Sequence, residues 1–191
     1  MKTICVFCGS SEDLDEKYYK EAAVLGKLLG ENSYDLIHGG GIIGLMGHLL
    51  KAARKAGAEV TGVVPEILDK PNIVNNTDQN LVVTDDMKNR KEYMRDNSDA
   101  FIALPGGFGT IEEVMEVITL KQLKYHTKPI VIINTDNFYC HLIAQFESIF
   151  SEKFANPLYE KLYYIAKNPA DAIDYIKNYS FTNIYDKYLK A

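Results

Sequence analysis

The sequence predicts an α/β fold built on a doubly wound, essentially parallel sheet of about seven strands with helices on both faces. Short apolar runs alternate with longer amphipathic segments along most of the 191 residues, which is the rhythm of βαβ units. Two of the apolar runs pass directly into glycine-rich turns, after His38 and after Leu104. Such turns at the carboxyl ends of parallel strands are where open α/β sheets bind ligands.

Each element follows from its local pattern. Residues 2–8 form an apolar run that predicts the first strand, Gly30 and Gly57 are placed to end the first two helices, and Pro65 is placed to end the third strand. The predicted strands are 2–8, 35–38, 59–64, 80–84, 99–104, 129–133 and 162–166. The predicted helices are 16–30, one ending near residue 56, 87–98, 110–124, 137–151 and 169–179.

The chain is expected to form one Rossmann-like domain over residues 1–180. Residues 66–79 are rich in Asp, Asn, Lys and Pro and predict a surface excursion, and a loop of that length in a compact domain is often functional. Residues 181–191 carry apolar side chains at helix-like spacing and predict an amphipathic tail that docks on this chain or on a partner.

Composition excludes some classes of function. The net charge of −5 argues against a nucleic-acid binder, which needs a basic surface. No apolar run approaches the roughly 20 residues that cross a bilayer, and the first residues enter a strand pattern directly, so we expect a cytoplasmic protein without membrane contact. Cys5, Cys8 and Cys140 are expected to be buried thiols, with Cys5 and Cys8 on opposite faces of the first strand.

The turn after the fifth predicted strand is the main candidate for chemistry. Three glycines, Gly106, Gly107 and Gly109, fall within four residues, so backbone N–H groups can converge on an anion at the start of the next helix. Phosphate is the expected ligand of this turn. An alternative interpretation is a capping box, with Thr110 as N-cap and Glu113 reaching back to it, but a cap does not require three glycines.

A second glycine-rich turn, Gly39-x-Gly41-x-x-Gly44, matches the dinucleotide-binding fingerprint. Its context does not fit, because the fingerprint usually opens the first βαβ unit and needs an acidic residue at the end of the next strand. That strand offers only Glu66, beyond Pro65. A nicotinamide or flavin enzyme is therefore the weaker interpretation, and the alternative is that the glycines allow the close approach of a helix or a ligand.

The helix over 87–98 places Met87, Arg90, Lys91 and Met94 on one face. Cations on an apolar face need partners, unless their aliphatic stems pack and their charged ends reach water. If the fourth and fifth strands are neighbours, they bring Arg90 to Glu113, and a guanidinium, a carboxylate and a phosphate loop meet in one crevice.

Four motifs carry a family resemblance. They are Val6-Phe7-Cys8-Gly9-Ser10-Ser11, then His38-Gly39-Gly40-Gly41 with Gly44-Leu45-Met46-Gly47, then Met87-x-x-Arg90-Lys91-x-x-Met94, and finally Pro105-Gly106-Gly107-Phe108-Gly109-Thr110-x-x-Glu113. In this order and spacing, over residues 3–180, the chain resembles the Lonely Guy (LOG) family, which comprises cytokinin riboside 5′-monophosphate phosphoribohydrolases that were long mislabelled as lysine decarboxylases.

The resemblance implies hydrolysis of the N-glycosidic bond of a nucleoside 5′-monophosphate by a homodimer that uses no metal and no cofactor. It implies Arg90 and Glu113 as catalytic residues. The residues it implies for substrate binding are Gly9, Ser10, Gly40, Gly41, Met87, Lys91, Gly106, Gly107, Phe108, Gly109, Thr110, Glu112 and Thr119. Lys88 and Asn72 depart from the family pattern, where a His and an acidic residue are common, and both departures bear on which base is bound.

The chemistry also fits the residues without the name. Breaking a C1′–N bond builds positive charge on the sugar, so a carboxylate beside the ribose stabilises the transition state and activates water, the role expected of Glu113. Arg90 suits phosphate or the carboxylate itself. The alternatives are a non-catalytic nucleotide- or phosphate-binding module and, less favoured, an NAD-dependent enzyme. A decarboxylase would need a lysine bound to pyridoxal phosphate, and no lysine follows a cofactor pattern.

Overall fold

The computed structural model describes residues 2–70, 73–74 and 80–183 and contains one sheet of seven parallel strands. The strand order across the sheet is β4-β3-β2-β1-β5-β6-β7, so the predicted fold class is confirmed. The strands are β1 (Thr3–Phe7), β2 (Asp35–His38), β3 (Val60–Pro65), β4 (Asn80–Thr84), β5 (Ala100–Ala103), β6 (Ile130–Ile133) and β7 (Tyr164–Ala166).

Six α-helices are described, of which five lie between strands and α6 follows β7. They are α1 (Glu16–Glu31), α2 (Gly44–Lys55), α3 (Met87–Asp96), α4 (Phe108–Gln122), α5 (Cys140–Ser151) and α6 (Pro169–Lys177). Two predicted boundaries were wrong because 3₁₀ turns take the place of regular structure: Thr135–Asn137 precedes α5, and Pro157–Leu162 precedes β7. The third strand includes Pro65, which pairs with Thr84.

The helices cover the two faces of the sheet in separate layers. Helices α1, α2 and α6 pack with side chains such as Ile4 and Val6 in one core, whereas α3, α4 and α5 pack with Cys5 and Phe7 in the other. Cys5 and Cys8 lie in different cores, as the sequence predicts. Cys140 is exposed, so the prediction that all three thiols are buried was wrong for that one.

The sheet reverses its direction of growth between β1 and β5. The chain builds outward from β1 through β2 and β3 to β4, then crosses back to β5 and continues to β7. The expectation that the fourth and fifth strands are neighbours was therefore wrong, since β3, β2 and β1 lie between them. After β1 and β5 the chain continues to helices on opposite faces of the sheet, α1 and α4, and a switch point of this kind leaves a crevice at the carboxyl edge of the sheet.

Among the described residues, no helix is long and apolar enough to cross a membrane. Asn72, one of the two departures from the family pattern, lies outside the described residues. Most of the predicted tail, residues 184–191, lies outside them as well.

Two glycines on one face of α1 allow it to approach α2 closely. A Cβ on Gly26 would stand 2.3 Å from the Leu49 carbonyl oxygen, and one on Gly30 would stand 2.6 Å from the Ala56 carbonyl oxygen. Gly30 lies inside α1, which continues to Glu31, so its predicted role as a helix end was wrong. Its small size serves the contact between the two helices instead.

We expect Gly26→Ala to destabilise the protein even though alanine favours helix. The gain in helix propensity is about 1 kcal/mol, whereas overpacking against backbone atoms typically costs about 1–3 kcal/mol and here leaves the neighbour no flexible side chain to move. Thermal or urea unfolding measures the change. Lys27→Ala, at the adjacent exposed position, is the control and should be nearly neutral. A more stable Gly26→Ala protein would contradict the close contact.

Candidate active site

A cleft of about 570 Å³ lies at the switch point of the sheet. Its walls come from the segments after β1 and β2, from the end of β3, and from α3 and the first turns of α4. Of the residues predicted for the site, those lining the cleft are Gly9, Ser10, Gly41, Met87, Arg90, Gly107, Phe108, Gly109, Thr110, Glu112 and Glu113. Residues far apart in sequence thus meet in one place.

The glycine-rich turn delivers the start of α4 to this cleft. The helix begins at Phe108 with Gly107 as its N-cap, so the capping-box interpretation with Thr110 as N-cap was wrong. Thr110 is buried and packs against Gly106, where a Cβ would stand 2.1 Å from its Oγ1 atom. The first backbone N–H groups of a helix have no intrahelical partner, and Gly107 has no side chain to accept from them, so this turn suits an anion.

Arg90 and Glu113 form a buried ion pair in the cleft. Arg90 Nη1 donates to Glu113 Oε1 over 2.8 Å, and only 10% of the Arg90 side chain and 12% of the Glu113 side chain are exposed. Arg90 Nε donates to the Val63 carbonyl oxygen at 2.9 Å, which fixes the guanidinium to strand β3. Helix α3 reaches Glu113 because it crosses back over the sheet on the way from β4 to β5.

Burial raises the pKa of the Glu113 carboxyl above its ordinary value, and the nearby Arg90 charge partly opposes that rise. Burial disfavours the ionised form, whereas the guanidinium favours it through both charge and hydrogen bond. A carboxylate with a raised pKa is a stronger base than a free one. Glu113 therefore has the properties that a general base or a charge stabiliser needs.

Lys91 lies beside this pair and contacts two other carboxylates of α4. Its ammonium pairs with Glu112 and lies 3.1 Å from a Glu116 carboxylate oxygen. These contacts raise the pKa of Lys91, the hydrogen bond with Glu112 being the largest cause. Lys91 thus ties α3 to α4 at the rim of the cleft, and Lys88, three residues before it, is exposed.

The glycines after β2 make room for Arg90 and for the packing around it. A Cβ on Gly39 would stand 2.5 Å from Arg90 Nη2, so any larger residue at position 39 would displace the guanidinium. Gly41 similarly admits the Met46 side chain, whose Cε would lie 2.9 Å from an added Cβ. Gly40 has a positive φ of 78° and packs against Val64 at the end of β3. Gly40 therefore shapes the backbone of this segment, and it is not among the residues that line the cleft.

Thr119 does not lie with the other predicted residues. It lines a separate, smaller groove of about 110 Å³ between α4 and α5, together with apolar side chains such as Met115 and Phe150. It sits about two turns after Thr110 on α4, so the helix carries it away from the cleft.

The rest of the cleft wall is apolar. Most of its apolar side chains come from the segment after β2 and the start of α2, from β3 and the segment after it, and from α3, and these are Ile43, Met46, Val64, Leu68, Ile73, Met87 and Met94. A polar end at the glycine turn and an apolar side opposite it match an amphipathic ligand with an anionic group.

Sequence reasoning missed two contributions to the site. The Val63 carbonyl holds Arg90, but any strand residue has a carbonyl and nothing in the sequence marks this one. Gly39 makes room for the guanidinium. It was visible in the glycine run, which was interpreted as a weak dinucleotide motif or as room for a close helix or ligand.

Comparison with known proteins agrees with these motifs. A protein-family profile described as "Possible lysine decarboxylase" matches residues 46–176. The chain is 39% identical over 178 residues to a cytokinin riboside 5′-monophosphate phosphoribohydrolase of Arabidopsis thaliana, covering 93% of this chain and 82% of that protein. The chain belongs to the LOG family.

Two further relatives extend the comparison. A "probable cytokinin riboside 5′-monophosphate phosphoribohydrolase" of Oryza sativa subsp. japonica is 41% identical over 179 residues, which cover 93% of this chain and 84% of the relative. The solved structure of a molybdenum cofactor binding protein from Rippkaea orientalis superposes with a TM-score of 0.69 and 28% identity, covering 93% of this chain and 96% of that one. This LOG-family chain thus shares its fold with a protein named for binding a cofactor.

We expect Arg90→Met to be destabilising in a pH-dependent way. Removing one partner of a buried pair typically costs about 3–5 kcal/mol, because the other charge is left uncompensated. Without Arg90 the folded-state pKa of Glu113 rises further above its unfolded value, so stability falls as pH rises from below the unfolded pKa towards the folded one. Urea unfolding at pH 7 and at pH 4.5 should show a larger deficit from wild type at pH 7.

The double variant Arg90→Met/Glu113→Gln is the matched control. It removes both charges, so it should regain part of the lost stability at pH 7 and lose the excess pH dependence. A single variant whose deficit is the same at both pH values would show that Glu113 is not held as a buried, ionised partner.

Proposed function

We propose that this LOG-family protein hydrolyses the N-glycosidic bond of a nucleoside 5′-monophosphate to give free base and ribose 5-phosphate. The observation that carries the proposal is the buried Arg90–Glu113 pair within one cleft with the glycine turn that starts α4. A pure phosphate binder has little use for a carboxylate there, because it would repel the anion.

The glycine turn supplies the phosphate end of the proposed site. Gly107, Phe108 and Gly109 are exposed, and nothing lies within 4 Å of a Cβ placed on either glycine, so a ligand can approach the backbone closely. The positive end of α4 favours the dianion. Phosphate binding away from the scissile bond helps to position that bond for reaction.

The reaction adds water across the C1′–N bond. The water hydroxyl becomes bonded to C1′, the C1′–N electron pair leaves with the base, and a proton is delivered to the base nitrogen. Glu113 faces the positive charge that develops on the sugar and removes a proton from the attacking water. Arg90 keeps this carboxylate ionised and oriented through the contact at 2.8 Å.

The apolar wall is proposed to take the base. Leu68, Ile73 and Met87 lie on the side of the cleft formed by the segments after β3 and by α3, and they suit a flat purine with an apolar N6 substituent. The substrate class is therefore AMP or a cytokinin riboside 5′-monophosphate.

We place the reaction in the cytoplasm, because Cys5, Cys8 and Cys140 are free thiols, as a reducing compartment would keep them.

A non-catalytic carrier is the second candidate, because the structural relative from Rippkaea orientalis is named as a cofactor-binding protein. The two candidates differ in one simple outcome. A carrier binds its ligand and returns it unchanged, whereas the proposed hydrolase releases free base.

The direct test incubates the purified protein with AMP, N6-isopentenyl-AMP and the two matching nucleosides, and measures free base by chromatography. We expect base from at least one nucleotide and a much slower release from its nucleoside, because the nucleoside lacks the phosphate that the glycine turn binds. Equal rates with and without the phosphate would contradict the role of the turn. Binding of nucleotide without any release would favour the carrier.

Glu113→Gln tests the catalytic role separately from binding. Glutamine keeps the size and a hydrogen-bonding oxygen but removes the charge, so we expect kcat to fall by a factor on the order of 10² or more, which corresponds to about 3 kcal/mol of transition-state stabilisation. KM should change little, but the variant should be less stable than wild type, because the buried Arg90 charge loses its counter-charge. Steady-state kinetics and a thermal melt measure both.

The control for this variant is Glu31→Gln, at the end of α1, where the carboxylate pairs with the surface residue Lys27 at 3.5 Å. It should retain wild-type kcat. If Glu113→Gln also turned over at a near-normal rate, the catalytic carboxylate would have to be sought elsewhere, first at Glu112.

A homodimer is also part of the proposal. The groove between α4 and α5 is apolar, and Tyr125 and Phe154, on the segments that follow these two helices, are exposed by 77% and 86%. Exposed apolar groups of this size next to an apolar groove are typical of a protein–protein contact. A second copy would cover this face in a two-fold symmetric, self-complementary way.

Sedimentation velocity tests this assembly. We expect a species of twice the 21.5 kDa chain mass at micromolar concentration and a shift towards monomer in Phe154→Glu, which places a charge in the contact. Val24→Glu, at an exposed position on α1 in the opposite layer, should leave the dimer intact. A wild-type protein that sediments only at the chain mass would contradict the proposal.

A further inference from the structure

Tyr139 lies directly behind the glycine turn and contacts its backbone. Its side chain is 3% exposed, and its hydroxyl donates to the Leu104 carbonyl oxygen over 2.8 Å. Leu104 is the last residue before Pro105 and the glycines, and it is itself fully buried. Without the hydroxyl, that carbonyl would lose this hydrogen bond in a place where burial makes an unpaired group costly.

The same turn is held from the other side by the segment around β1. Leu104 N donates to the Phe7 carbonyl oxygen at 3.0 Å, and Gly9 N donates to the Pro105 carbonyl oxygen at 3.1 Å. The backbone before Gly106 is therefore fixed by main-chain contacts on one side and by the Tyr139 side chain on the other.

An unusual backbone places Tyr139 at this point. Asp136 and Asn137 have positive φ values of 48° and 60°, in the left-handed region that non-glycine residues seldom occupy. The Tyr139 N–H then donates to Asn134 Oδ1 at 2.8 Å, and the Phe138 ring packs edge-on against the Tyr139 ring with centroids 4.8 Å apart. Uncommon backbone geometry of this kind persists where the surrounding contacts enforce it, and it is frequent near functional sites.

The hydroxyl is suited to act as a permanent donor. The pKa of Tyr139 is well above the usual value for tyrosine, and burial is the largest cause of that rise. A hydrogen bond with the Gly106 backbone lowers the pKa and so acts in the opposite direction. The hydroxyl therefore stays protonated over the working range of pH. It touches the backbone on both sides of Pro105.

We propose that Tyr139 is a positioning residue that sets the glycine turn at residues 105–109 for binding the 5′-phosphate. It acts through the backbone and does not touch the substrate. The inference rests on the proposed function for the identity of the ligand, and on the contacts around Leu104 for the mechanism. It adds the segment after β6 to a site otherwise built from β1, β2, β3, α3 and α4.

The test is Tyr139→Phe, which removes one oxygen atom and keeps the ring. The matched control is Tyr179→Phe, because the Tyr179 hydroxyl also donates to a backbone carbonyl at 2.8 Å, that of Thr127. Thr127 precedes β6 and lies at the opposite edge of the sheet from the glycine turn. The two variants therefore lose the same kind of hydrogen bond in different places.

Calorimetric titration with ribose 5-phosphate measures binding without any reaction. We expect the Kd of Tyr139→Phe to rise about five-fold, in line with the loss of one hydrogen bond, and that of Tyr179→Phe to stay within about two-fold of wild type. In kinetics with the nucleotide, KM should rise by a similar factor while kcat changes less, because Arg90 holds Glu113 independently. Unchanged Kd and KM in Tyr139→Phe would overturn the inference.

Hydrogen exchange provides a readout that needs no ligand. The backbone amides of Leu104 and of residues 106–110 should exchange faster in Tyr139→Phe than in wild type, and at the wild-type rate in Tyr179→Phe. If wild type releases no base from a nucleotide and binds no ribose 5-phosphate, the proposed function fails, and exchange alone decides whether Tyr139 holds the turn. Unchanged exchange in the turn would show that the hydroxyl only fills the core.

Discussion

The ion pair between Arg90 and Glu113 is the interaction on which the arrangement of the site depends. It joins α3 to α4 inside the cleft, and its geometry is fixed at both ends: Arg90 Nε by the Val63 carbonyl, and Glu113 by its place in the first turns of α4. A buried pair is weak support for stability, since desolvation offsets much of the attraction. Its value here is that it holds a carboxylate with a raised pKa beside the glycine turn, the proposed phosphate site.

The sheet topology explains why these groups can meet. The reversal at β1 and β5 opens the crevice, and the return of the chain from β4 at the sheet edge carries α3 across the face on which α4 also packs. Small residues then complete the fit. Gly39 has no side chain to collide with the Arg90 guanidinium, and Gly106 has none to collide with Thr110. The backbone of the turn therefore stays accessible to a ligand. The site is thus a consequence of crossing elements rather than of neighbouring strands.

The sequence predicted the sheet, the number of strands and most of the cleft, because hydrophobic period and glycine-rich turns are local signals. Arg90 and Glu113 were paired in the prediction for a partly wrong reason, since strand order is a tertiary property that no local pattern encodes. The start of α4 was misjudged because Thr110 and Glu113 mimic a capping box, whereas a buried cation competes successfully for Glu113. The positions of Thr119 and Tyr139 could not be predicted from local patterns either, because their surroundings depend on how α5 and the turn before it pack.

In the proposed complex the phosphate binds the turn at the start of α4 while the sugar carbon faces residue 113. A crystal structure of Glu113→Gln with AMP measures this most directly, because the variant should bind the nucleotide without consuming it. We expect phosphate oxygens on the backbone N–H groups of residues 107–110 and C1′ within contact distance of the residue 113 side chain, with the base on the apolar wall. Phosphate bound away from the turn, or C1′ on the far side of the cleft from residue 113, would contradict it.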